Sequence, residues 1–487
     1  MIMIYITHVV CSLVLAAATA NVSHAAWTNA HGDSDNRGFA NVATRPATFP
    51  IRAVDVGQVA PGANPVTAPD GTVYIGNMAG ELIALHADGS PYWTRQLDPK
   101  HGGIFTSPAV GADGSVYVVS TSQYTDHRTG VAGAHHTDSY LHKFTPGGGW
   151  EFPLLFPTIP PFIDQGGTTG PPNIWRAHGT EAIMVPVVYQ RPGTLDLRLI
   201  AFSTTGSVLD HESVSTATWS TDVTGGPDIF ESDLEKCILI YHLICPAGFS
   251  PGPYVPPMLL EAGFPLPGVA IRPDPLGGTP QVVASGLHDT VVYSFLPQTG
   301  LSEVTRGTEH AGRIIATPPV VLTSSLTAVG VNDVVDSNSF LRLLRDATFP
   351  PVIPGVSSGF LTAAPTVLTD GRLVIISREG TLTVLNGRAV TMQDTLRGAS
   401  IASAAASCAH LFVSSENELR TYDLSNMLVV STLPLQKGGR HAPIIGPAGH
   451  VYAMTEFGLN VFQAPRKRPG ANLPNGVCGA LVPAFPR

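Results

Sequence analysis

The 487-residue chain carries little charge, since only 13% of its residues are Asp, Glu, Lys or Arg. Helical bundles and coiled coils need charge-rich helix faces, so this composition argues against both. The 27 basic and 36 acidic residues leave a net charge of -9, which argues against the basic surface that nucleic-acid binding requires. The 44% of hydrophobic residues argues against a disordered chain.

Cysteine is scarce, with five residues, and no CxxC or CxxCH motif occurs. Zinc ribbons, thioredoxin-like redox sites and attached c-type haem are therefore excluded. Removing Cys11 with the apolar N-terminus leaves an even number, which favours disulfides in an exported chain. We predict the pairs Cys237–Cys245, closing a small loop, and Cys408–Cys478, tying the C-terminal tail to the body. Free buried thiols are the alternative.

Only one long apolar run occurs, at residues 4–20. Its length suits the hydrophobic region of a secretory signal peptide and is marginal for spanning a bilayer. Small residues at 23–25 predict cleavage after Ala25, residues 18–20 offer a second option, and an uncleaved anchor is the alternative. We therefore expect a periplasmic or secreted protein with no stable membrane span in the mature chain.

Glycine and proline are abundant, with 50 and 43 residues, as in chains built from short strands and tight turns. A strand–turn–strand unit with Asp-Gly at its turn recurs at residues 65–75, 108–118 and 365–375. Gly suits these turns because it accepts positive φ. The turns recur every 39–43 residues where the repeat is clearest, and a third and fourth strand follow. Four strands per period of about 40 residues predict the blades of a β-propeller.

We predict an all-β, eight-bladed β-propeller closed by an N-terminal strand, with seven blades as the alternative because the middle repeats are degenerate. Inner strands are expected near residues 63, 105, 174, 268, 314, 361, 400 and 440. The last repeat has only three strands, so residues 51–56 should supply the fourth and close the ring. The predicted domains are a signal peptide (1–25), an N-terminal segment (26–47), the propeller (48–465) with insertions at 121–137 and 217–266, and a tail (466–487).

The segment from the third to the fourth strand resembles the tryptophan-docking motif of PQQ-like propeller repeats. The matching residues are Ala84, Gly89 and Trp93 in the first repeat, Trp150 in the second, and Ala201 and Gly206 with Asp210 in the tryptophan slot in the third. Residues 27–38 resemble the segment that often precedes such repeats. The resemblance implies the propeller fold. It argues against PQQ chemistry, because quinoprotein dehydrogenases of this family place adjacent cysteines beside the quinone and this chain has no such pair.

Basic residues recur in the loops expected at one mouth of the central channel. They are His101, Arg176, His178, His310, Arg313, Arg397, Arg440 and His441. Converging cations could hold a carboxylate, a phosphate or a sugar acid. A histidine among them could act as a general base near neutral pH. The alternative is that most of these are ordinary loop residues.

A second cluster lies at the first insertion and consists of His127, His135, His136 and Asp138. Imidazole and carboxylate groups suit zinc or copper. The spacing matches no defined motif, and adjacent His135 and His136 would point to opposite faces of a strand. Solvated loop histidines are therefore the default interpretation. No cofactor is predicted, and PQQ or a metal ion stays open as the disfavoured alternative.

These observations favour an exported, monomeric propeller that binds a partner protein or an anionic small molecule. No compact catalytic motif can be assigned, so the catalytic residues are unknown and the balance is against an enzyme. Two enzymatic alternatives stay open. One is a hydrolase or lyase that uses His and Arg at the channel mouth, and the other is a PQQ-dependent dehydrogenase.

Overall fold

The computed structural model describes residues 26–125, 135–159, 167, 170–191, 194–218, 268–286, 288–309, 313–333, 338–345, 353–357, 359–455 and 458–463. Within these ranges the chain forms strands β1 to β34 and two short 3-10 helices, η1 (Pro99–His101) and η2 (Gly438–Arg440). None of the helices in these ranges is long and apolar enough to cross a membrane.

The strands form eight antiparallel sheets, which are the blades of a propeller. Blade 1 contains β2 (Val66–Thr67), β3 (Val73–Gly76), β4 (Glu81–Leu85) and β5 (Pro91–Gln96). Blade 2 contains β6 (Gly103–Ile104), β7 (Ala109–Val110), β8 (Val116–Thr125), β9 (His135–Phe144) and β10 (Trp150–Leu155). Blade 3 contains β11 (Asn173–Ala177), β12 (Thr180–Arg191), β13 (Thr194–Ser203) and β14 (Val208–Thr218). Blade 4 contains β15 (Gly268–Arg272), β16 (Gln281–Ser285), β17 (Asp289–Leu296) and β18 (Gly300–Thr308).

The second half of the ring repeats this pattern. Blade 5 contains β19 (Arg313–Ile315), β20 (Val320–Thr323), β21 (Leu326–Asp333), β22 (Asn338–Arg345) and β23 (Ile353–Ser357). Blade 6 contains β24 (Thr366–Val367), β25 (Leu373–Ile376), β26 (Thr381–Asn386) and β27 (Ala389–Thr395). Blade 7 contains β28 (Ala405–Ala406), β29 (His410–Ser414), β30 (Glu418–Asp423) and β31 (Leu428–Pro434). Blade 8 contains β32 (Ile444–Ile445), β33 (Val451–Met454), β34 (Gly458–Phe462) and β1 (Pro50–Asp55).

The ring closes within blade 8, where β1 pairs antiparallel with β34. Pro50 lies opposite Phe462, and Asp55 lies opposite Gly458. The eight-bladed fold and its closure by an N-terminal strand are therefore confirmed. In every blade, the innermost strand begins within five residues of its predicted position. This agreement follows from the local signal, because each tight turn fixes where its two strands begin and end.

The two ends of the propeller differ. At the turn end, the first strand of each blade joins the second and the third joins the fourth. Gly71, Gly114 and Gly371 lie in such turns and have φ of 80–93°. At the loop end, the second strand joins the third and one blade joins the next. The connections through residues 126–134 and 219–267 both belong to the loop end. Long loops on a rigid ring are where binding sites usually lie.

Adjacent blades are joined by a side chain from one outer strand that packs on a turn glycine of the next blade. Trp93 donates its indole N–H to Pro146 O at 2.9 Å, and a Cβ on Gly148 would lie 2.8 Å from its ring. Asp210 fills the same position two interfaces later, between blades 3 and 4, because its carboxylate accepts the Leu301 N–H at 2.6 Å beside Gly300. The predicted docking role of Trp93 thus has a direct structural counterpart.

The second interface differs from the sequence-based expectation for Trp150. The ring of Phe152 packs on Gly206, at 3.3 Å from where its Cβ would be. Trp150 instead lies 42% exposed and bonds its indole N–H to Phe152 O at 3.2 Å. The physical reason is a bulge between Trp150 and Phe152, which shifts the register of β10 against β9.

Candidate functional site

Residues 27–42, called the plug below, run along the inner strands of seven successive blades. The backbone bonds are, in chain order, Thr67 N–H to Trp27 O, Val110 N–H to Thr28 O, Ile271 N–H to Ser34 O, Val321 N–H to Asp35 O, Val367 N–H to Arg37 O and Ala406 N–H to Gly38 O, at 2.7–3.0 Å. Blade 3 is reached through the Asn29 amide, which donates to Asn173 Oδ1 at 2.9 Å. The plug therefore lies in the central channel and satisfies backbone groups that the inner strands direct toward the axis.

Two buried asparagine amides hold the plug in register. Asn36 donates to Val269 O at 2.8 Å and to Pro319 O at 3.1 Å, which links it to blades 4 and 5. Asn173 of blade 3 donates to Ser34 O at 3.0 Å and to Val269 O at 2.8 Å. Each amide bridges two segments, so the plug is bonded as firmly as a strand of the sheet.

Gly38 marks the closest approach within the plug. Its φ is 64°, and a Cβ at this position would lie 2.5 Å from the His31 ring. Only glycine satisfies both conditions without displacing the imidazole. His31 is buried, and its Nε2 donates to Pro365 O at 3.1 Å. Burial lowers the pKa of His31 from 6.5 to about 4, although the bond to Pro365 opposes this shift.

The charged part of the plug contains Asp33, Asp35 and Arg37. An Arg37 Nη2 lies 3.0 Å from an Asp35 carboxylate oxygen, and Arg37 Nε donates to Val321 O at 3.1 Å. Burial raises the pKa of Asp35, the nearby Asp33 carboxylate raises it further, and Arg37 lowers it. Arg37 thus has a carboxyl partner within the plug, although the raised pKa of Asp35, about 7, leaves that carboxyl partly protonated near neutral pH.

The structure distributes the sequence-predicted basic residues over both ends of the ring. His101, Arg313, Arg397, Arg440 and His441 lie at the loop end, where blades are connected. Arg176 and His178 lie at the turn end, because β11 ends at Ala177 and His178 occupies the turn to β12. His310 lies outside the described residues. Five of the seven described residues therefore lie at one end of the ring, and Arg176 and His178 lie at the other.

Three of the predicted arginines have carboxylate partners. Arg176 Nε lies 2.5 Å from Glu181, and Arg313 Nε lies 2.8 Å from Asp333. Arg397 is 80% exposed, and its Nε lies 3.9 Å from Glu418 Oε2. Arg440 lies in η2, where its carbonyl accepts the Gly62 N–H at 2.8 Å. Arg176 and Arg313 therefore give little net positive charge for an anion, whereas Arg397 stays largely exposed and its neighbour Glu418 also pairs with Arg420.

His441 is 2% exposed, and its Nδ1 donates to Ala63 O at 2.8 Å. Burial lowers its pKa from 6.5 to about 4, with the bond to Ala63 opposing and Arg440 reinforcing the shift. A general base needs a lone pair within reach of the substrate proton. His441 therefore holds the connection between blades 7 and 8 to the residues that precede blade 1.

Sequence analysis missed a histidine-rich cluster on blade 2. The buried His142 has Nε2 2.7 Å from Ser120 Oγ, and its ring lies 5.2 Å from that of His101. His101 also packs 4.3 Å from the Tyr140 ring. Burial lowers the pKa of His142 to about 3, and the His101 charge lowers it further. The sequence could have indicated this cluster, because residues 140 and 142 are two apart in β9 and therefore lie on the same face of the strand.

The Ser120–His142 contact has the atom types of a nucleophile and its base. Both residues are fully buried, however, so a substrate has no access to the hydroxyl. A catalytic histidine also needs a group that orients its second nitrogen, and His142 Nδ1 has no such partner among the described residues. The pair is therefore part of the packing between blades 1 and 2.

No group of three or more His, Cys, Asp or Glu side chains within the described ranges is arranged to hold a metal ion. Asp138 lies in β9 together with the backbones of His135 and His136, whose side chains lie outside the description, as does His127. Cys408 lies between β28 and β29, and its N–H bonds to Val42 O at 3.1 Å. Cys237, Cys245 and Cys478 lie outside the described residues. The metal site and both disulfides stay predictions.

Blade 5 carries a buried ion pair at the loop end. Arg342 contacts both carboxylate oxygens of Glu309, at 2.5 and 2.7 Å, and the Glu309 side chain is fully buried. The Phe340 ring lies between two guanidinium groups, 5.0 Å from Arg313 and 5.5 Å from Arg342. Paired charges and a cation–π contact stabilise this edge of the ring.

No protein-family model and no curated protein sequence matches the chain. Among solved structures, the quinohemoprotein alcohol dehydrogenase of Comamonas testosteroni is similar with a TM-score of 0.58 and 11% identity, over 93% of this chain and 83% of that chain. The computationally designed protein Ika8 gives 0.51 and 11%, over 86% and 99% of the two chains. Saccharomyces cerevisiae Sqt1 gives 0.50 and 10%, over 86% and 100%. At these identities the similarity shows the β-propeller fold alone.

Proposed function

We propose that the protein is an exported binding protein whose loop end docks a partner protein. The observation that carries this proposal is the plug, because the chain's own residues bond to the inner strands of seven blades. A small ligand on the axis would compete with those bonds. Binding at the rim of the ring leaves the plug undisturbed.

The loop end of blades 2 and 3 offers a raised surface. Strands β12 and β13 have 12 and 10 residues, whereas the equivalent strands β3 and β4 of blade 1 have 4 and 5. At about 3.3 Å per residue, the longer hairpin rises roughly 20 Å above the ring. Strands β8 and β9, with 10 residues each, rise beside it. The two hairpins form a wall against which a protein surface could pack.

A buried polar network stiffens the blade 3 hairpin. Asp196 accepts hydrogen bonds from Arg198 Nε at 2.6 Å, from Ser213 Oγ at 2.6 Å and from Thr216 Oγ1 at 3.2 Å. The two hydroxyl bonds cross from β13 to β14 and order both strands. A pre-ordered surface binds with a smaller loss of conformational entropy than a loop does.

An anionic small molecule is a weaker candidate ligand, since Arg176 and Arg313 already have carboxylate partners. For the hydrolase or lyase alternative, His441 is not an accessible base, because it is buried and its Nδ1 is bonded to Ala63 O. No described contact specifically favours the dehydrogenase alternative.

Photo-crosslinking tests the proposed docking face. A crosslinking amino acid replaces Thr216, exposed at the loop end of blade 3, or Thr205, exposed at its turn end. We expect a discrete adduct with a partner from the native exported fraction at residue 216 and none at 205, followed by reconstitution of the complex from purified components. Adducts at neither position, or equal adducts at both, would reject the docking face. Turnover of anionic esters, glycans or alcohols with added PQQ would favour an enzyme.

A further inference from the structure

An apolar patch lies at the outer edge of blades 7 and 8, close to the turn end. It consists of Phe49, Leu428, Val429 and Val430, which are 82%, 63%, 45% and 46% exposed, and is called the apolar edge below. Within the described residues, β31 pairs only with β30, so its outer backbone groups face away from the sheet. Such an edge invites pairing with another chain.

Most outer strands are protected by charge. The outer strands of six blades each contain at least one Asp, Glu or Arg, whereas β23 of blade 5 and β31 of blade 7 contain none. Charged residues on an edge strand prevent unwanted pairing. An outer strand without charge, such as β31, is therefore expected where another segment covers it.

The chain itself leaves the propeller beside this patch. Phe462, the last residue of β34, pairs with Pro50, so residue 463 lies next to Phe49. Residues 464–487 follow and begin at the turn end. The C-terminal tail therefore starts at one side of the apolar edge.

Cys408 lies in the neighbouring turn of blade 7. It occupies the turn between β28 and β29, which also belongs to the turn end. The adjacent Ala409 accepts the Leu424 N–H at 2.9 Å, and Leu424 precedes the strand that begins at Leu428. Fourteen residues separate Gln463 from Cys478, and an extended segment of that length reaches roughly 45 Å. That reach exceeds the distance between neighbouring blades.

We propose that tail residues 479–485 cover the apolar edge, held there by a Cys408–Cys478 disulfide. The segment reads Gly-Ala-Leu-Val-Pro-Ala-Phe, which is uncharged and mostly apolar like the edge it would cover. Forming the bond joins the two sulfur atoms and releases two protons and two electrons. A disulfide of an oxidising exchange protein accepts them and becomes a dithiol. The covered edge cannot pair with a second copy.

Hydrogen exchange on the full-length oxidised protein tests this contact. Leu481→Glu places a charge in the covering segment, and Asn472→Glu places the same charge in the tail outside it. We expect the amides of residues 428–434 to exchange at least about tenfold faster in the Leu481→Glu protein and unchanged in the Asn472→Glu protein. Peptide mapping without reduction should recover Cys408 linked to Cys478.

Three results would overturn the proposal. One is equal exchange of β31 in the parent and both variants. Another is modification of Cys408 by maleimide in the native, unreduced protein. The third is a dimer in light scattering whose β31 stays protected in the Leu481→Glu protein, which would assign the apolar edge to a second copy. Leu428→Glu, at an exposed position, adds a check from the propeller side: it should accelerate exchange of the tail amides, whereas Val304→Glu on blade 4 should not.

Discussion

Acidification is expected to destabilise the protein through its buried histidines. Burial lowers the pKa of His31 and of His441 from 6.5 to about 4, and that of His142 to about 3. The unfolded chain takes up these protons near pH 6.5, whereas the folded chain resists them until pH 4 or below. The stability that the neutral imidazoles contribute is therefore complete above pH 6.5 and is lost as the pH falls toward 4.

The size of this effect follows from the two pKa values. For His441, with 6.5 unfolded and about 4 folded, the loss between pH 7.5 and pH 5 is about 2 kcal/mol, and it approaches about 3 kcal/mol below pH 4. Three such histidines together would remove about 6 kcal/mol at pH 5. Asp35, whose pKa burial raises to about 7, offsets part of this loss because its folded form takes up a proton over the same pH range.

The assay is urea unfolding at pH 7.5 and at pH 5 for the parent protein, His441→Gln and His178→Gln. The His441→Gln protein should be less stable at pH 7.5, because the bond to Ala63 O is altered, but should lose about 2 kcal/mol less on acidification than the parent. The His178→Gln protein, changed at an exposed turn, should respond to pH like the parent. Equal losses in the parent and the His441→Gln protein would refute the assignment.

Three substitutions test the plug, the blade interface and the buried ion pair by urea unfolding at pH 7.5. Gly38→Ala should cost about 3 kcal/mol, because a Cβ there meets the His31 ring at a positive φ. Trp93→Ala should cost about 3 kcal/mol through the lost packing and the lost bond to Pro146. Glu309→Gln should cost about 3 kcal/mol, because Arg342 loses its buried counterion. The matched controls are Gly387→Ala, with a similar φ and open space, Leu276→Ala, at a side chain that is 95% exposed, and Asp370→Asn, each expected to cost about 1 kcal/mol or less. If a control variant lost as much unfolding free energy as the variant it matches, the contact assigned to that variant would be contradicted.

The fold could be predicted because its signals are local. Each Asp-Gly or Gly turn fixes two strand ends, and the period of about 40 residues groups four strands into a blade. The closure by β1 could also be predicted, because the last repeat lacked one strand. The sequence could not predict that Phe152, and not Trp150, packs on the next blade. A single bulge in β10 shifts the register there, and a bulge leaves no mark in the composition.

The plug was recognised only as a segment that resembles one preceding such repeats. Its position in the channel depends on backbone bonds to seven strands that are spread over more than 300 residues of sequence. Backbone groups are the same in every residue, so no side-chain pattern encodes those partners. Gly32, Asn36 and Gly38, all at positive φ, are the residues whose types are constrained by the path of the plug.

The predicted cationic site shows what a sequence can and cannot reveal about charge. Arg176 faces Glu181 across a hairpin, and the turn at Gly179 makes that pair readable from spacing alone. Arg313 faces Asp333 across strands whose pairing depends on a connection of ten residues or more, so its partner becomes visible only in the folded blade. Counting basic residues therefore overestimates the positive charge of the channel mouth, because each strand pairing can supply a carboxylate. With these cations paired and the axis occupied by the plug, the raised hairpins of blades 2 and 3 become the surface on which a binding function is best sought.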